Sequence, residues 1–187
     1  MRMLIMGPPG AGKGTQGKKI AAAFGIPEVS TGAIFRSNVA NQTELGKVVS
    51  QIMEKGELVP DSVTVNLVAD RLAQPDTAPG FLLDGFPRTV AQAESLDEIL
   101  ATLGVELDAV LCLKVDSETL IQRMMKRAQI EGRADDNEET IRRRFEVYIA
   151  ETEPLKNLYR ERGLLVEVAG EGSVDEVHDR IMAALSA

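Results

Sequence analysis

Short apolar runs punctuate the 187-residue chain. MLIM (3–6), FLLD (81–84), AVLCLKV (109–115) and LLVEV (164–168) read as buried strands, and PEVS (27–30) as a shorter one. Amphipathic stretches of helical period separate them. Strands alternating with helices predict a parallel sheet with helices on both faces. Gly25 is placed to stop the helix that ends KKIAAAF, and Gly104 the one that ends AESLDEILATL. Asp61 is expected to cap SVTVNLVADRL and Ser117 to cap ETLIQRMMKRA. Thr89 with Gln92, Asp136 with Glu139, and Ser173 with Glu176 have capping-box spacing.

Two stretches break the alternation. Residues 30–59 hold two helical patterns, TGAIFRSNVA and ELGKVVSQIMEK, with no strand between them, and read as a helical insert. Residues 128–136, AQIEGRADD, read as a polar loop between two helices.

Composition narrows the class. At 44% hydrophobic and 27% charged, the chain is expected to be a soluble globular domain. Its formal net charge of -8 argues against a nucleic-acid binder, although cations gathered in one place could still hold an anion. The single cysteine, Cys112, excludes an intrachain disulfide and a four-cysteine zinc site, and lies in an apolar run as a small buried hydrophobe would. The segment before Gly7 is too short for a secretory core, and no stretch reaches membrane length. A cytoplasmic protein is expected. The only histidine, His178, falls in a polar helix and is expected to be solvated.

The chemistry starts at GPPGAGKGT, 7–15. Gly7, Gly12 and Lys13 match the phosphate-loop pattern, but Gly14 stands where that pattern has serine or threonine, and the hydroxyl arrives on Thr15. A strand before and a helix after are the context such a loop needs, since backbone N–H groups and the helix N-terminus then converge on an anion. Asp84 ends an apolar strand, where ligands bind in open α/β sheets; it either caps a turn or steadies the water shell of Mg²⁺. Pro87 is a candidate cis proline that would set how Arg88 projects. Arg123 and Arg127 share a helix face, Arg133 sits in the polar loop, and Arg142, Arg143 and Arg144 open the next helix. Neighbours in a helix diverge by about 100°, so only some can face one cleft; the others would be surface arginines paired with glutamates. Ser30 or Thr31 is a helix cap or a ligand hydroxyl. Gln92 is a capping partner or a ligand amide.

Taken together, GPPGAGKGTQ, STGAIFR, GELVPD, GFLLDGFPRTVAQAE, the R-x-x-x-R of 123–127 and GRADDNEETIRRR resemble the adenylate kinase family over essentially the whole chain. The resemblance implies a phosphate-loop NTPase-like three-layer α/β fold with a five-stranded parallel sheet. It implies a core of residues 1–29, 60–125 and 137–187, an AMP-binding insert at 30–59, and a lid at 126–136 of the short form that carries no structural zinc. It assigns ATP to Gly10, Ala11, Gly12, Lys13, Gly14, Thr15, Arg127 and Gly172. It assigns AMP to Thr31, Arg36, Glu57, Leu58, Val59, Gly85, Phe86, Pro87, Arg88, Gln92, Arg133 and Arg144. Lys13, Arg88, Arg123, Arg133 and Arg144 would act on the transferred phosphoryl group. Asp84 would hold Mg²⁺ through water, aided by Asp135 or Asp136. Ala33 departs from the family, which commonly has an acidic residue after STG. The implied reaction is reversible Mg²⁺-dependent transfer from ATP to AMP, giving two ADP, by a cytoplasmic monomer without nucleic-acid or membrane partners. The competing readings are a UMP/CMP kinase, which Thr31 and Gln92 disfavour, and a nucleotide-binding regulator without turnover.

Overall fold

The computed structural model describes residues 1–133 and 137–187. Its centre is a five-stranded parallel sheet in the order β2-β3-β1-β4-β5, made of β1 (Arg2–Met6), β2 (Glu28–Ser30), β3 (Phe81–Asp84), β4 (Ala109–Lys114) and β5 (Leu165–Ala169). The central strands β1, β3 and β4 are buried on both faces, which is why they read as continuous apolar runs rather than alternating ones. Alternate residues serve opposite layers. Met3 and Ile5 join Leu82, Leu111 and Leu113 on one face, while Leu4 and Met6 join Leu83 and Val110 on the other.

The first face is covered by α1 (Lys13–Phe24) and α9 (Val174–Leu185), through Ile20, Val177 and Ile181. The second is covered by α4 (Asp61–Leu72), α5 (Val90–Leu103) and α8 (Leu155–Glu161), through Val68, Leu96 and Tyr159. The insert consists of α2 (Thr31–Ala40) and α3 (Glu44–Glu54), with its own small core of Phe35, Val49 and Val59. A Cβ at Gly46 of α3 would stand 2.0 Å from the Asn38 carbonyl, so these helices touch at a point where no side chain fits. The chain then passes through α6 (Ser117–Glu131), α7 (Glu138–Val147) and a π-helical turn, Tyr148–Thr152.

Several boundaries differ from expectation. Asp61 does not cap α4. Pro60 holds the cap position in extended backbone, and Asp61 is the first helical residue. Ser117 likewise yields to Asp116, whose carboxylate, a stronger acceptor than a hydroxyl, receives the Thr119 N–H at 2.9 Å. Residues 128–131 are helical, because α6 continues through good helix formers until Gly132, in left-handed backbone at φ 58°, ends it. Asn137 caps α7 by accepting from the Thr140 N–H at 2.9 Å; Asp135 and Asp136 lie outside the described residues. His178 is half-buried rather than solvated, and its Nδ1 is buried without a hydrogen bond. Ser30, not Thr31, caps α2. The box at Ser173 and Glu176 forms, and Cys112 is fully buried, its thiol pushed up by desolvation. No helix among the described residues is long and apolar enough to cross a membrane.

Candidate active site

The site lies at the C-terminal edge of the sheet, where β1 runs into the glycine loop. Gly10 has φ 82°, and a Cβ there would press within 2.9 Å of Met124 and 3.0 Å of the Leu120 carbonyl, so the loop can pack on α6 only with glycine. Gly12 is the N-cap of α1 and offers no side-chain cap, and the first turn carries no acidic residue. The N-terminal amides and positive end of α1 are therefore left for an external anion.

Lys13 is the first helical residue, and its Nζ donates to the Pro8 carbonyl at 3.1 Å, folding the side chain back over the loop. Burial pushes its pKa down to about 8; Asp84 opposes this, while Arg88 and Arg127 add to it. Asp84 lies opposite Ile5 in β1 and Ser30 in β2, and its Oδ2 is 3.9 Å from where a Cβ would stand on Gly14. Gly14 thus opens the space beside the carboxylate, and Thr15 lines the same cleft.

The cleft encloses about 730 Å³, the size of a ligand pocket. Lys13, Arg36, Arg88, Arg127, Arg133 and Arg144 all line it. The structure separates the three consecutive arginines. Arg142 pairs with Glu138 at 2.8 Å and Arg143 with Glu57 at 2.8 Å, while Arg144 faces the cleft. Arg133 pairs with Glu131 at 2.6 Å at its rim. Arg88 follows a cis Phe86–Pro87 bond, and its Nε donates to the Gly85 carbonyl at 2.9 Å. Desolvation lowers its pKa, Asp84 raises it, and Arg144 lowers it further, a cost that a bound anion would offset.

A pocket wall runs from the insert to α5. Thr31, Arg36, Glu57, Leu58, Val59, Gly85, Pro87 and Gln92 line it together. Gln92 is 2% exposed; its Oε1 accepts from the Arg88 N–H at 2.7 Å, and its Nε2 donates to Asp61 Oδ1 at 2.8 Å. The capping role therefore belongs to Thr89, which accepts from the Gln92 N–H at 3.1 Å, and the Gln92 amide is used elsewhere. Gly10, Gly12 and Gly14 line the loop end.

Other expected residues lie off this wall. Ala11 and Phe86 are buried at 2% exposure. Arg123 runs beneath the loop, donating to the Gly170 carbonyl at 2.9 Å and approaching the Ala11 carbonyl at 3.4 Å. Gly172 sits beside Glu176 and Arg180. Conversely, Lys18, Lys19, Glu28, Tyr148 and Thr152 line the cleft without having been singled out. Thr152 donates to the Arg88 carbonyl at 2.7 Å, so the π-helical turn braces the arginine loop. Tyr148 and Thr152 are four apart, a polar pair on one face that sequence spacing could have flagged. Glu28 gave no such signal in a three-residue edge strand; burial and then Asp84 raise its pKa, while Lys18 lowers it.

Among the described residues no group of three or more His, Cys, Asp or Glu side chains could hold a metal ion. One strand-end carboxylate and a hydroxyl beside a phosphate loop fit a hard cation that keeps its waters and takes its other ligands from phosphates, as Mg²⁺ does.

A parallel sheet whose first strand feeds a glycine loop and helix, with arginines gathered in the same cleft, defines a phosphate-loop nucleotide-binding enzyme. A sequence model of the family described as "Adenylate kinase" matches residues 5–164. The adenylate kinase of Leifsonia xyli subsp. xyli is 58% identical over 184 residues, covering 98% of this chain and 92% of that one. Those of Clavibacter michiganensis subsp. michiganensis and Thermobifida fusca are each 56% identical over 185 residues, 99% of this chain and 92% and 98% of theirs. The chain belongs to the adenylate kinase family, and the family makes it a phosphotransferase.

Proposed function

We propose that the chain transfers the γ-phosphoryl group of ATP reversibly to AMP, giving two ADP. The observation that carries this is the convergence of Lys13, Arg36, Arg88, Arg127, Arg133 and Arg144 on one cleft that opens from a glycine loop. Gly10 to Thr15 and Arg127 hold the ATP phosphates, with Gly172 near the ATP base. Thr31, Arg36, the segment Glu57 to Val59, Gly85 to Arg88, and Gln92 hold AMP, with Arg88 on its phosphate. In this reading the insert 30–59 is the AMP-binding piece and the segment 126–136 the lid of a core of 1–29, 60–125 and 137–187.

The attacking group is a phosphate oxygen of AMP, already ionised at neutral pH, so no base is required. The protein's work is alignment and charge stabilisation. Arg88 draws the acceptor phosphate to the cleft floor, held in place by Gly85 and Thr152. Lys13 follows the transferred group. Arg123 lies beneath the loop, and Arg133 and Arg144 line the same cleft. Mg²⁺, held by the nucleotide phosphates and through water by Asp84, would neutralise charge on the transferred group. Water is the rival acceptor, so closure of the insert and lid precedes transfer. This reading takes the protein to be a cytoplasmic monomer.

A coupled ADP-forming assay with AMP, UMP, CMP and GMP as acceptors tests the reading. AMP is expected to be preferred by orders of magnitude. A preference for UMP or CMP, or binding without turnover, overturns it.

A further inference from the structure

Asp61 has no part in starting its own helix. The Pro60 carbonyl receives the first amides, from Val63 at 3.1 Å and Thr64 at 3.2 Å, and no side-chain cap is present. Its carboxylate reaches instead across to α5, where Oδ1 accepts from Gln92 Nε2 at 2.8 Å and from the Thr89 hydroxyl at 3.4 Å. An ionised carboxylate only accepts, and the Arg88 backbone N–H on the other side of the amide only donates. The two partners together orient the amide one way, with nitrogen toward Asp61 and oxygen toward Arg88. One Nε2 hydrogen and one Oε1 lone pair remain, and Gln92 lines the cleft.

We propose that Asp61 is a specificity-positioning residue: by fixing the polarity of the Gln92 amide it restricts the acceptor to bases with an amino group beside an unprotonated ring nitrogen. This rests on the reading that Gln92 faces the acceptor base. Adenine offers an N–H donor on its amino group next to the N1 acceptor, which the remaining acceptor and donor of Gln92 complement. Hypoxanthine has nearly the same shape, but an oxo group replaces the amino group and N1 carries a proton, so both groups are reversed. Accepting it requires the amide to rotate by half a turn. That would set Nε2 against the Arg88 N–H and Oε1 against the Asp61 carboxylate, breaking both hydrogen bonds. Buried polar groups left unpaired in this way are the strongest source of discrimination available to a site of this size.

The test compares kcat/KM for AMP and for inosine monophosphate at saturating ATP, in the wild type and in Asp61→Ala, Asp61→Asn and Gln92→Ala. With the charge-assisted bond removed, Asp61→Ala is expected to lower the AMP-to-inosine-monophosphate ratio by about tenfold or more. Asp61→Asn, whose carbonyl still accepts from Gln92, should lower it severalfold. KM for ATP should not change in either, a separation that general loosening of the fold would not give. Gln92→Ala should collapse the ratio. A ratio within about twofold of wild type in both Asp61 variants, alongside collapse in Gln92→Ala, overturns the role of Asp61. An unchanged ratio in Gln92→Ala overturns instead the assignment of Gln92 to the acceptor base, and this proposal with it. Should Asp61→Ala melt too low to assay, the isosteric Asp61→Asn decides: a severalfold fall supports the role, and an unchanged ratio overturns it.

Discussion

Binding of ATP should draw a proton onto Lys13. Burial between the glycine loop and Arg88 pushes this lysine down to about 8 from its ordinary 10.5, so in the free protein it is about half neutral at pH 8. A phosphate charge about 4 Å from Nζ, at an effective dielectric constant of about 20, favours the charged form by about 4 kcal/mol, about three pK units. The bound lysine is then fully protonated at pH 8. The uptake should be about half a proton per ATP at pH 8, rising to about 0.9 at pH 9, both well above the phosphate's own second ionisation near 6. Titration calorimetry in HEPES, Tricine and Tris reads the number directly, as the slope of observed enthalpy against buffer ionisation enthalpy. Lys13→Met should bring the slope at pH 8 to near zero. A flat plot for the wild type with measurable binding would refute the reasoning, because Lys13 would then be charged before the nucleotide arrives. The same depression has a sign for stability. The buried charge costs the free fold stability below about pH 8, and that cost fades as pH rises toward 10.5.

Other consequences follow from the cleft. Arg88→Ala should cut kcat/KM for AMP by about a thousandfold, since a charge-assisted phosphate contact is lost; steady-state kinetics check this, and near-normal values would remove Arg88 from the acceptor site. Asp84→Asn should raise the Mg²⁺ concentration for half-maximal turnover about tenfold while leaving Mg²⁺-free ATP binding intact, measured by a metal titration of the rate and a direct binding isotherm. Gly46→Val places a side chain against the Asn38 carbonyl and should destabilise the insert by about 2 kcal/mol. Hydrogen exchange should then quicken across 31–54, and KM for AMP should rise while ATP affinity holds; unchanged exchange would contradict the close contact.

The sheet was legible because its three central strands are buried on both faces, which leaves unbroken apolar runs between glycines and polar caps. The phosphate loop was legible for a similar reason: its geometry depends on glycine at set intervals, and Gly10 shows why, with Met124 and the Leu120 carbonyl where a Cβ would stand. Arginines were not resolved in the same way. Arg142, Arg143 and Arg144 are consecutive; Glu138 lies one turn before Arg142 on the same helix, but only the tertiary structure brings Glu57 to Arg143 and turns Arg144 to the cleft. Arg123 and Arg127 share a helix face, yet one runs under the loop and the other lines the pocket. Asp61 reads as a helix cap because local spacing allows it, but its carboxylate finds a better partner 31 residues away.

By itself, the sequence determined what depends on backbone conformation and burial period: strand and helix order, the glycine loop, the helical insert, and the set of cations available for phosphate. Tertiary structure alone decided which cations share the cleft and which way the Gln92 amide points. Those outcomes are settled by competition among distant donors and acceptors for one another. A hydrogen bond between α4 and α5 has no trace in local sequence until the sheet brings the two helices together.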